Sequence, residues 1–379
     1  MIRTGVGLCV VVGLAGCAHP AETSQPVPAL PRDEVAATLY LIGDAGDPDP
    51  AGEPVLRALA RELVSGGRER VVVFLGDNAY PRGLPPSGDP TRPEEERRLS
   101  AQVRAVTEAK ATGYLVLGNH DWARFGKDGW NAARRQETFI DSIGEGRVFL
   151  LPRGGCPGPS TVDIANRVRL ILLDTQWWLH QGPKPEDPTS SCPADADDEI
   201  VDSIQSAIHG ARERLVVVVG HHPLATGGNH GGYFGWKDHL FPLLQVVPGL
   251  WLPLPLIGSL YPTARQNGIS PQDVPSRAYQ HFIRVLSRAF AGRAPALYAS
   301  GHDHNLQVIA GGVVPLQLVS GAGIYGHWGR ATRIRGSLFA KQASGFGRLD
   351  ISRSGRARLA VIEVDRAGSS REVFSIWVE

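Results

Sequence analysis

The sequence predicts an α/β domain, on two observations. Apolar runs rich in β-branched residues recur along the chain, and amphipathic segments of helical period separate several of them. Such alternation is typical of buried strands in a sheet covered by helices. From Leu306 onwards the sequence instead contains one strand-like run after another. Because the chemically suggestive residues extend from Asp44 to His304, we expect a single domain over residues 36–379.

Six of the predicted strands end at a polar residue. These are ATLYLIG before Asp44, RVVVFLG before Asp77, GYLVLG before Asn119, RVRLILLD ending at Asp174, RLVVVVG before His221 and ALYASG before His302. The amphipathic segments cover residues 54–65, 93–112, 131–143, 197–212 and 276–291. The later strands are expected in LQVIAGG, VPLQLVSG, FGRLDIS, ARLAVIEV and VFSIWVE.

The composition excludes some classes of partner. The 379 residues are 42% hydrophobic and 20% charged, which is typical of a globular protein. The formal net charge is +1 and no basic block is present, so we expect no nucleic-acid partner. The sequence carries no signal for an oligomeric state.

The N-terminus predicts export. The apolar run Gly5–Gly16 is too short for a membrane span, which needs about 20 residues, and it fits a signal peptide over residues 1–16. The string LAGC, ending at Cys17, resembles a bacterial lipobox. We therefore expect lipidation of Cys17, a tether over residues 17–35, and a location on the outer-membrane or periplasmic side of a bacterial membrane. An ordinary cleavable signal with an incidental cysteine is the alternative.

The folded part holds two cysteines, Cys156 and Cys192, because Cys9 leaves with the signal and Cys17 is the expected site of lipidation. In an oxidising compartment a disulfide between them is expected. A bridge over such a loop stabilises the fold by about 3–4 kcal/mol on chain-entropy grounds. Two unpaired buried thiols are the alternative.

The strand ends carry metal-type ligands. They are Asp44, Asp77, Asn119, His221 and the pair His302 and His304. A lone aspartate after a strand is more often a helix cap or turn former, but five such endings converge where open α/β sheets bind ligands. Carboxylate, amide oxygen and imidazole suit Fe, Mn or Zn. Two such ions ~3.5–4 Å apart form a clamp for displacement at phosphorus.

The strings GDAG, GDNAY, GNHD, VVGH and GHDH resemble, in order and pattern, the calcineurin-like metallophosphoesterases. They are most similar to the small, tartrate-resistant type of purple acid phosphatase. The first motif lacks the usual histidine, and Tyr80, three residues after Asp77, stands where these phosphatases place a tyrosine. The resemblance implies a four-layer α/β/β/α fold, in which two mixed β-sheets pack as a β-sandwich flanked by helices.

The resemblance also implies a ligand set. Metal one would take Asp44, Asp77, Tyr80 and His304, and metal two would take Asp77 as the bridge with Asn119, His221 and His302. A tyrosine phenolate implies Fe(III) at metal one, and metal two would be divalent Fe, Zn or Mn. The alternative for Tyr80 is an aromatic ring packed at the base of a loop.

Two histidines are the expected proton donors. In the family the residue at His120 faces the substrate phosphate, and Asp121 is expected to orient it. His230, nine residues after His221, matches a second histidine that faces the active site. Its glycine-rich surroundings also fit a mobile surface loop. His222, beside a ligand, is expected to be structural.

The segment Phe241–Pro262 departs from the resemblance. It is apolar and rich in proline, which excludes a membrane helix. We expect an extended stretch packed on the domain surface. The alternative is an apolar lip beside the metal site that contacts lipid. The pair Trp177 and Trp178 is expected to pack in the core, with a place in the cleft wall as the alternative.

The function predicted from these residues is that of a binuclear-metal phosphomonoesterase, in which a metal-activated hydroxide attacks a small phosphate ester. A phosphodiesterase or lipid-phosphate hydrolase with the same metal site is the first alternative. A surface binding lipoprotein without turnover is the second, and it is disfavoured because the family's whole ligand set is present.

Overall fold

The structure of the chain is a computed structural model that describes residues 26–186, 190–245, 249–255 and 257–379. The predicted signal peptide 1–16 and Cys17 lie outside these residues, so both stay predictions. Within the described residues, no helix is both long enough and apolar enough to cross a membrane.

The strands are short and alternate with helices over the first two thirds of the chain. In chain order the strands are β1 Val35–Ile42, β2 Glu69–Leu75, β3 Thr112–Val116, β4 Val148–Leu150, β5 Ser160–Ile164, β6 Val168–Leu172, β7 Leu215–Val219, β8 Leu297–Ser300, β9 Leu306–Ala310, β10 Leu316–Ser320, β11 Ser337–Lys341, β12 Gly345–Ser352, β13 Ala357–Val364 and β14 Ser370–Val378. The α-helices are α1 Pro54–Ser65, α2 Arg92–Thr107, α3 Gly129–Ile143, α4 Gln176–Leu179, α5 Asp197–His209, α6 Trp236–Leu240, α7 Leu260–Gln266 and α8 Arg277–Ala289.

The described strands form two mixed sheets of seven strands each. The first has the order β14-β13-β12-β1-β2-β3-β4, and β1 to β4 are parallel neighbours within it. The second has the order β11-β9-β10-β8-β7-β6-β5, with β6, β7, β8 and β10 parallel. Both sheets therefore present the carboxyl ends of several parallel strands on one edge.

Alternation along each strand explains the four layers. Leu39 and Leu41 of β1 belong to an apolar cluster with Leu170 of β6 and Val217 of β7, which fills the space between the sheets. The intervening residue Tyr40 belongs instead to a cluster that includes the helices. Because successive side chains of a strand point to opposite faces, a strand buried on both faces needs a continuous apolar run. The α/β/β/α sandwich expected from the resemblance is confirmed.

Helix boundaries follow from local sequence. In α1 the Glu53 carboxylate accepts a hydrogen bond from the backbone N–H of Val55, and Pro54 is the first helical residue. All five amphipathic segments contain a helix, but α2 ends at Thr107 and Thr112 already starts β3. Three strands were not predicted, namely β4, β5 and β11. They are only three to five residues long and half-buried in places, so their apolar pattern is weak.

The prediction of a tether up to residue 35 is wrong at its C-terminal end. Leu30 is buried, and the carbonyl of Val27 accepts hydrogen bonds from Arg358 Nη2 at 2.8 Å and Ser375 Oγ at 3.2 Å. Val27 is thus hydrogen-bonded to the first sheet and Leu30 is buried, while the residues around them are exposed. Hydrogen bonds from side chains of β13 and β14 hold this segment in place, although its own sequence has no strand pattern.

The segment between His230 and α8 forms a separate layer, which we call the cap, residues 233–275. It contains α6, two 3₁₀ turns at Pro242–Gln245 and Ile257–Ser259, and α7. The amide of Leu254 donates to the carbonyl of Leu240 at 2.8 Å, so the cap packs on itself. The expectation of an extended stretch over Phe241–Pro262 is therefore wrong for its described part, because short turns satisfy backbone groups where proline prevents longer helices.

Candidate metal centre

Five strands bring the predicted ligands to one edge of the molecule. Asp44, Asp77 and Asn119 follow β1, β2 and β3 of the first sheet, and His221 and His302 follow β7 and β8 of the second. All five side chains are buried. The two sheets are linked directly here, since the amide of His302 donates to Asp44 Oδ2 at 2.8 Å. Ligands that are far apart in sequence therefore meet.

Two motif glycines make this convergence possible. A Cβ at Gly118 would lie 2.3 Å from Oδ1 of Asp77, and a Cβ at Gly301 would lie 2.4 Å from Oδ2 of Asp44. Both distances are far below van der Waals contact, so a side chain at either position would displace a carboxylate. The glycine before a ligand is thus required by the close approach of backbone and carboxylate.

The first donor group surrounds the Tyr80 hydroxyl. This oxygen lies 3.1 Å from Asp44 Oδ1, 3.3 Å from Asp77 Oδ2 and 3.2 Å from His304 Nε2. His304 Nε2 lies 3.2 Å from Asp44 Oδ1. These four side chains are the set expected for metal one, and the structure brings all of them together.

The second donor group surrounds Asn119 Oδ1. That oxygen lies 3.1 Å from His221 Nε2 and 3.0 Å from His302 Nδ1, and the two nitrogens are 3.2 Å apart. Asp77 Oδ2 is 3.4 Å from His221 Nε2. The same carboxylate oxygen therefore borders both donor groups, which is the position expected of a bridging ligand.

With both histidines neutral, which is the form that binds a metal ion, the second donor group directs three lone pairs at one another. Nδ1 of His221 donates to the carbonyl of Leu75 at 2.8 Å, and Nε2 of His302 donates to the carbonyl of Gln272 at 2.9 Å. In a neutral ring the facing nitrogens are then unprotonated, and they point at an amide oxygen that only accepts. Three lone pairs so close together repel unless positive charge lies between them. A metal ion fits this arrangement.

The first donor group is rich in negative charge. The Tyr80 hydroxyl has one proton for two carboxylate oxygens. Although burial opposes the charged ring of His304, its hydrogen bond with Asp44 raises the pKa of this histidine. Burial and the carboxylates of Asp44 and Asp77 raise the pKa of Tyr80 well above 10 in the metal-free protein. At His221, burial disfavours the charged ring, but the carboxylate of Asp77 outweighs this effect and raises its pKa to about 9. These effects show a site that attracts positive charge, so the residues fit a metal pair.

His120 lies at the rim of the donor groups. Its Nδ1 donates to the carbonyl of Pro81 at 2.8 Å, its amide donates to Asp77 Oδ1 at 2.8 Å, and its Nε2 is 3.9 Å from Asp77 Oδ2. Its ring packs 4.3 Å from that of Tyr80, measured between centroids. The ring is therefore fixed with Nε2 towards the site.

The expectation that Asp121 orients His120 is wrong. The buried Asp121 carboxylate accepts hydrogen bonds from the amides of Asn78, Ala79 and Gly118, at 2.9, 3.1 and 2.8 Å. It thus ties the loop after β2 to the loop after β3. Burial and the neighbouring charge of Asp77 raise the pKa of Asp121 well above its usual value. The ring of His120 is oriented by Pro81 instead, because Asp121 points into the protein.

His230 lies over the second donor group. Its ring centroid is 3.8 Å from that of His302, and its side chain is partly exposed. His222, the sequence neighbour of His221, uses both ring nitrogens: Nδ1 lies 2.7 Å from Thr175 Oγ1 and Nε2 lies 2.7 Å from Gln272 Oε1. This is what a structural histidine requires.

His327 is a candidate that sequence reasoning missed. Its ring centroid lies 4.3 Å from that of His304 and 6.0 Å from that of Tyr80, and the residue is exposed. It sits in the loop after β10, in the string GIYGHWG, where no spacing pattern marks it. Only the folding of that loop against the first donor group reveals it.

Two further predictions concern residues outside the donor groups. Cys156 and Cys192 are joined by a disulfide. Trp177 and Trp178 are buried, and Trp178 packs against Phe282 of α8 with ring centroids 5.6 Å apart. The tryptophan pair therefore belongs to the core and not to the cleft wall.

Comparison with known proteins finds one matching family and one similar plant protein. The family described as Calcineurin-like phosphoesterase matches residues 37–252. Purple acid phosphatase 17 of Arabidopsis thaliana is 24% identical over 262 residues, which are 66% of this chain and 58% of the plant protein. The alignment thus spans less than two thirds of that relative's length.

Two solved structures align with most of this chain. The structure of GAP50, the anchor in the inner membrane complex of Plasmodium, is 16% identical and aligns with a TM-score of 0.55 over 91% of this chain and 89% of that one. Purple acid phosphatase PPD1 from yellow lupin (Lupinus luteus) seeds is 12% identical and aligns with a TM-score of 0.48 over 90% of this chain and 53% of that one. At this identity the Plasmodium structure speaks for the fold alone.

Proposed function

The chain belongs to the calcineurin-like phosphoesterase family, and we propose that within this family it is a phosphomonoesterase of the purple acid phosphatase type with two metal ions. One observation carries the proposal: two groups of donor atoms share the Asp77 carboxylate, and a tyrosine hydroxyl belongs to one of them. Carboxylate, imidazole and amide oxygen without thiolate favour Fe, Zn or Mn.

The side chains have distinct tasks in this proposal. When bound, a metal pair supplies Lewis-acid polarisation of a phosphoryl group and lowers the pKa of water at the site. Asp44, Tyr80 and His304 would hold one ion, Asn119, His221 and His302 the other, and Asp77 both. His120, whose Nδ1 proton is committed to Pro81, presents Nε2 to the substrate side, where it can hydrogen-bond the phosphate or donate a proton to the leaving oxygen.

The donor set supports Fe(III) in the first group and a divalent ion, Fe, Zn or Mn, in the second. Because burial keeps Tyr80 protonated without metal, its ionisation requires a strongly charged cation. We expect a visible charge-transfer band in the iron-loaded protein, and we expect Tyr80→Phe to remove it while the protein stays folded. Absence of the band in the wild-type protein would rule out the ferric assignment.

The ratio of turnover on a phosphomonoester to turnover on a phosphodiester tests the reaction class. Turnover of an aryl phosphomonoester and of the matching aryl diester is measured in one iron-loaded preparation. A large preference for the monoester supports the proposal. A preference for the diester would leave the proposed metal centre in place but would show that the substrates are phosphodiesters. No turnover of either ester, with both metals bound, would favour the binding protein without catalysis.

A second candidate substrate class is favoured by the surface of the cap. Among the described residues, nine of the eleven exposed large hydrophobic side chains lie between residues 233 and 269, including Trp236, Trp251 and Leu260. Exposed apolar groups at such density mark a surface that contacts something apolar. An amphiphilic phosphate ester would use both the metal centre and this surface. A matched pair, glycerol 3-phosphate and its 1-acyl ester, tests this: equal kcat/KM on both would exclude it.

Export and lipid anchoring remain part of the proposal. The disulfide between Cys156 and Cys192 supports an oxidising compartment. Incorporation of radiolabelled palmitate into the wild-type chain, and its loss in Cys17→Ser, is the expected result. A wild-type chain that is cleaved but not labelled would point to an ordinary signal peptide.

A further inference from the structure

Within the described residues, three residues of the cap lie next to the second donor group. Gln272 accepts a hydrogen bond from His302 at its carbonyl, and its side-chain oxygen lies 2.7 Å from His222 Nε2. Asp273 lies 2.9 Å from His230, measured from Oδ1 to Nδ1. Arg265 of α7 reaches the same aspartate. The cap thus contacts one histidine of the second donor group, His302, and two histidines beside that group, His222 and His230.

Asp273 is built to hold its charge. Its side chain is fully buried, and Arg265 donates to both of its oxygens, from Nε to Oδ2 at 2.8 Å and from Nη2 to Oδ1 at 2.5 Å. Such two-pronged pairing is the strong form of an ion pair. Burial opposes ionisation, but the hydrogen bonds from Arg265 and His230 lower the pKa of Asp273 below its usual value. A buried carboxylate fixed in this way cannot rotate to another partner.

The aspartate in turn determines which ring nitrogen of His230 carries the proton in the neutral ring. Nδ1 of His230 faces two acceptors, Asp273 Oδ1 at 2.9 Å and the carbonyl of Gln272 at 3.2 Å. It also lies 3.1 Å from Arg265 Nη2, which donates to Asp273. Because the shorter contact is to a carboxylate that can only accept, Nδ1 carries the proton, and Nε2 has its lone pair free in the neutral ring. No hydrogen bond to Nε2 of His230 occurs within the described residues. The backbone is fixed as well, because the amide of Val274 donates to the carbonyl of His230 at 2.8 Å.

We propose that Asp273, held by Arg265, is a positioning residue that fixes the tautomer and orientation of His230 so that Nε2 faces a phosphate ester at the second donor group. This inference deepens the proposed function and rests on it for the identity of the substrate. It makes the cap a part of the catalytic machinery, and it explains why a polar cluster is buried under a segment whose surface is apolar.

Kinetics on two esters test the proposal. Phenyl phosphate has a poor leaving group and 4-nitrophenyl phosphate a good one, so only the first depends strongly on a well-placed imidazole. Since outer partners of functional groups are worth about 10–100-fold, we expect Asp273→Asn to lower kcat on phenyl phosphate by about that factor and to affect 4-nitrophenyl phosphate much less. Asp198→Asn, an exposed aspartate paired with Arg288, is the matched control and should change neither.

A double-mutant cycle separates positioning from a general structural effect. If Asp273 acts through His230, adding Asp273→Asn to His230→Ala lowers kcat no further. Equal losses in the wild-type and His230→Ala backgrounds would overturn the proposal. Arg265→Lys, which keeps the charge but not the two-pronged pairing, should show an intermediate loss of the same leaving-group dependence. An effect of Arg265→Lys that is equal on both esters would contradict it.

A third measurement does not depend on turnover. The ring nitrogens of His230 are assigned by ¹⁵N NMR in the zinc-loaded protein, with Asp198→Asn as control. The Nδ1–H tautomer is expected in both, and its loss in Asp273→Asn. An Nε2–H tautomer in the wild-type protein would overturn the proposal. If instead the tautomer is as expected but neither ester is hydrolysed, the proposed function fails and the positioning of His230 stands.

Discussion

The donor groups and the cap lie side by side but are built in opposite ways. The donor atoms come from buried strand ends, where two sheets pack against each other and glycines allow carboxylates to touch backbone. The cap consists of short helices and turns that pack on themselves and leave tryptophans exposed. A rigid edge suits metal ligands because their positions must be fixed, whereas the cap adds groups around the ligands. In the proposed phosphoesterase, the sheet edge would hold the metal ions, and the cap would position His230 and select the substrate.

The largest effect is expected at the shared carboxylate. Asp77→Asn removes the charge and one of the oxygens available to both donor groups, so we expect loss of the metal pair. Activity should fall by about 10³-fold or more, beyond the about 10–100-fold typical of outer partners. Metal content by elemental analysis and phosphatase assays check this, with Asp198→Asn as control. A variant that keeps both metals and turns over normally would show that the site is elsewhere.

A change outside both regions should affect stability and not catalysis. Replacing Cys156 and Cys192 together by serine opens a bridge across a sequence separation of 36 residues. We expect the free energy of unfolding to fall by about 3–4 kcal/mol, because the unfolded chain gains freedom. Denaturant titration measures this. Activity of the folded variant should match the wild type, and a large loss of kcat in the folded state would mean that this loop belongs to the site.

Substitution of His327 tests whether a histidine beside the first donor group contributes to turnover, as we propose for His230 beside the second. Its ring lies beside His304 and is exposed, so a substrate oxygen can reach it. We expect His327→Ala to lower kcat/KM on a phosphomonoester by about tenfold, the worth of one hydrogen bond to a charged group, about 1.5 kcal/mol. His209→Ala, which changes an exposed histidine on α5, is the control. Identical kinetics for both variants would remove His327 from the site.

The smallest effect is expected on the surface of the cap. Trp251, 61% exposed, has no polar partner among the described side chains. If its ring contacts an acyl chain, Trp251→Ala should lower kcat/KM on 1-acylglycerol 3-phosphate by about fivefold, the worth of about 40 Å² of apolar contact. Glycerol 3-phosphate should be hydrolysed as before. A loss that is equal on both substrates would indicate a structural role for the cap surface.

Most of the metal centre was predictable because its signals are local. An apolar run that stops at an aspartate or histidine marks a strand end, and the carboxyl ends of parallel strands share one edge. Asp77 and Tyr80 lie in one loop, after β2, and His302 and His304 lie in another, after β8. The structure brings all of these donor atoms together. Pairing within each sheet aligns the strand ends, and the packing of the two sheets against each other brings the two sets of side chains together.

The roles of residues between elements were less predictable. Asp121 follows His120 in sequence, yet the structure turns its carboxylate towards Asn78 and Gly118. Adjacent residues of an extended or turning chain point in different directions, so sequence neighbours need not be partners. The helical turns of the cap were likewise missed, since proline and short apolar runs give no clear period.

By itself, the sequence determined an α/β domain, the strand ends and the candidate ligands at those ends, since burial patterns and short spacings are properties of neighbouring residues. The four-layer sandwich and the place of Tyr80 were implied by the family resemblance. Only the tertiary structure decided that Arg265 and Asp273 reach His230, that Gln272 holds His302, and that His327 stands beside His304. These contacts join segments that are tens of residues apart. Their partners are chosen by how the cap and loops pack on the sheet edge, and no local pattern records that packing.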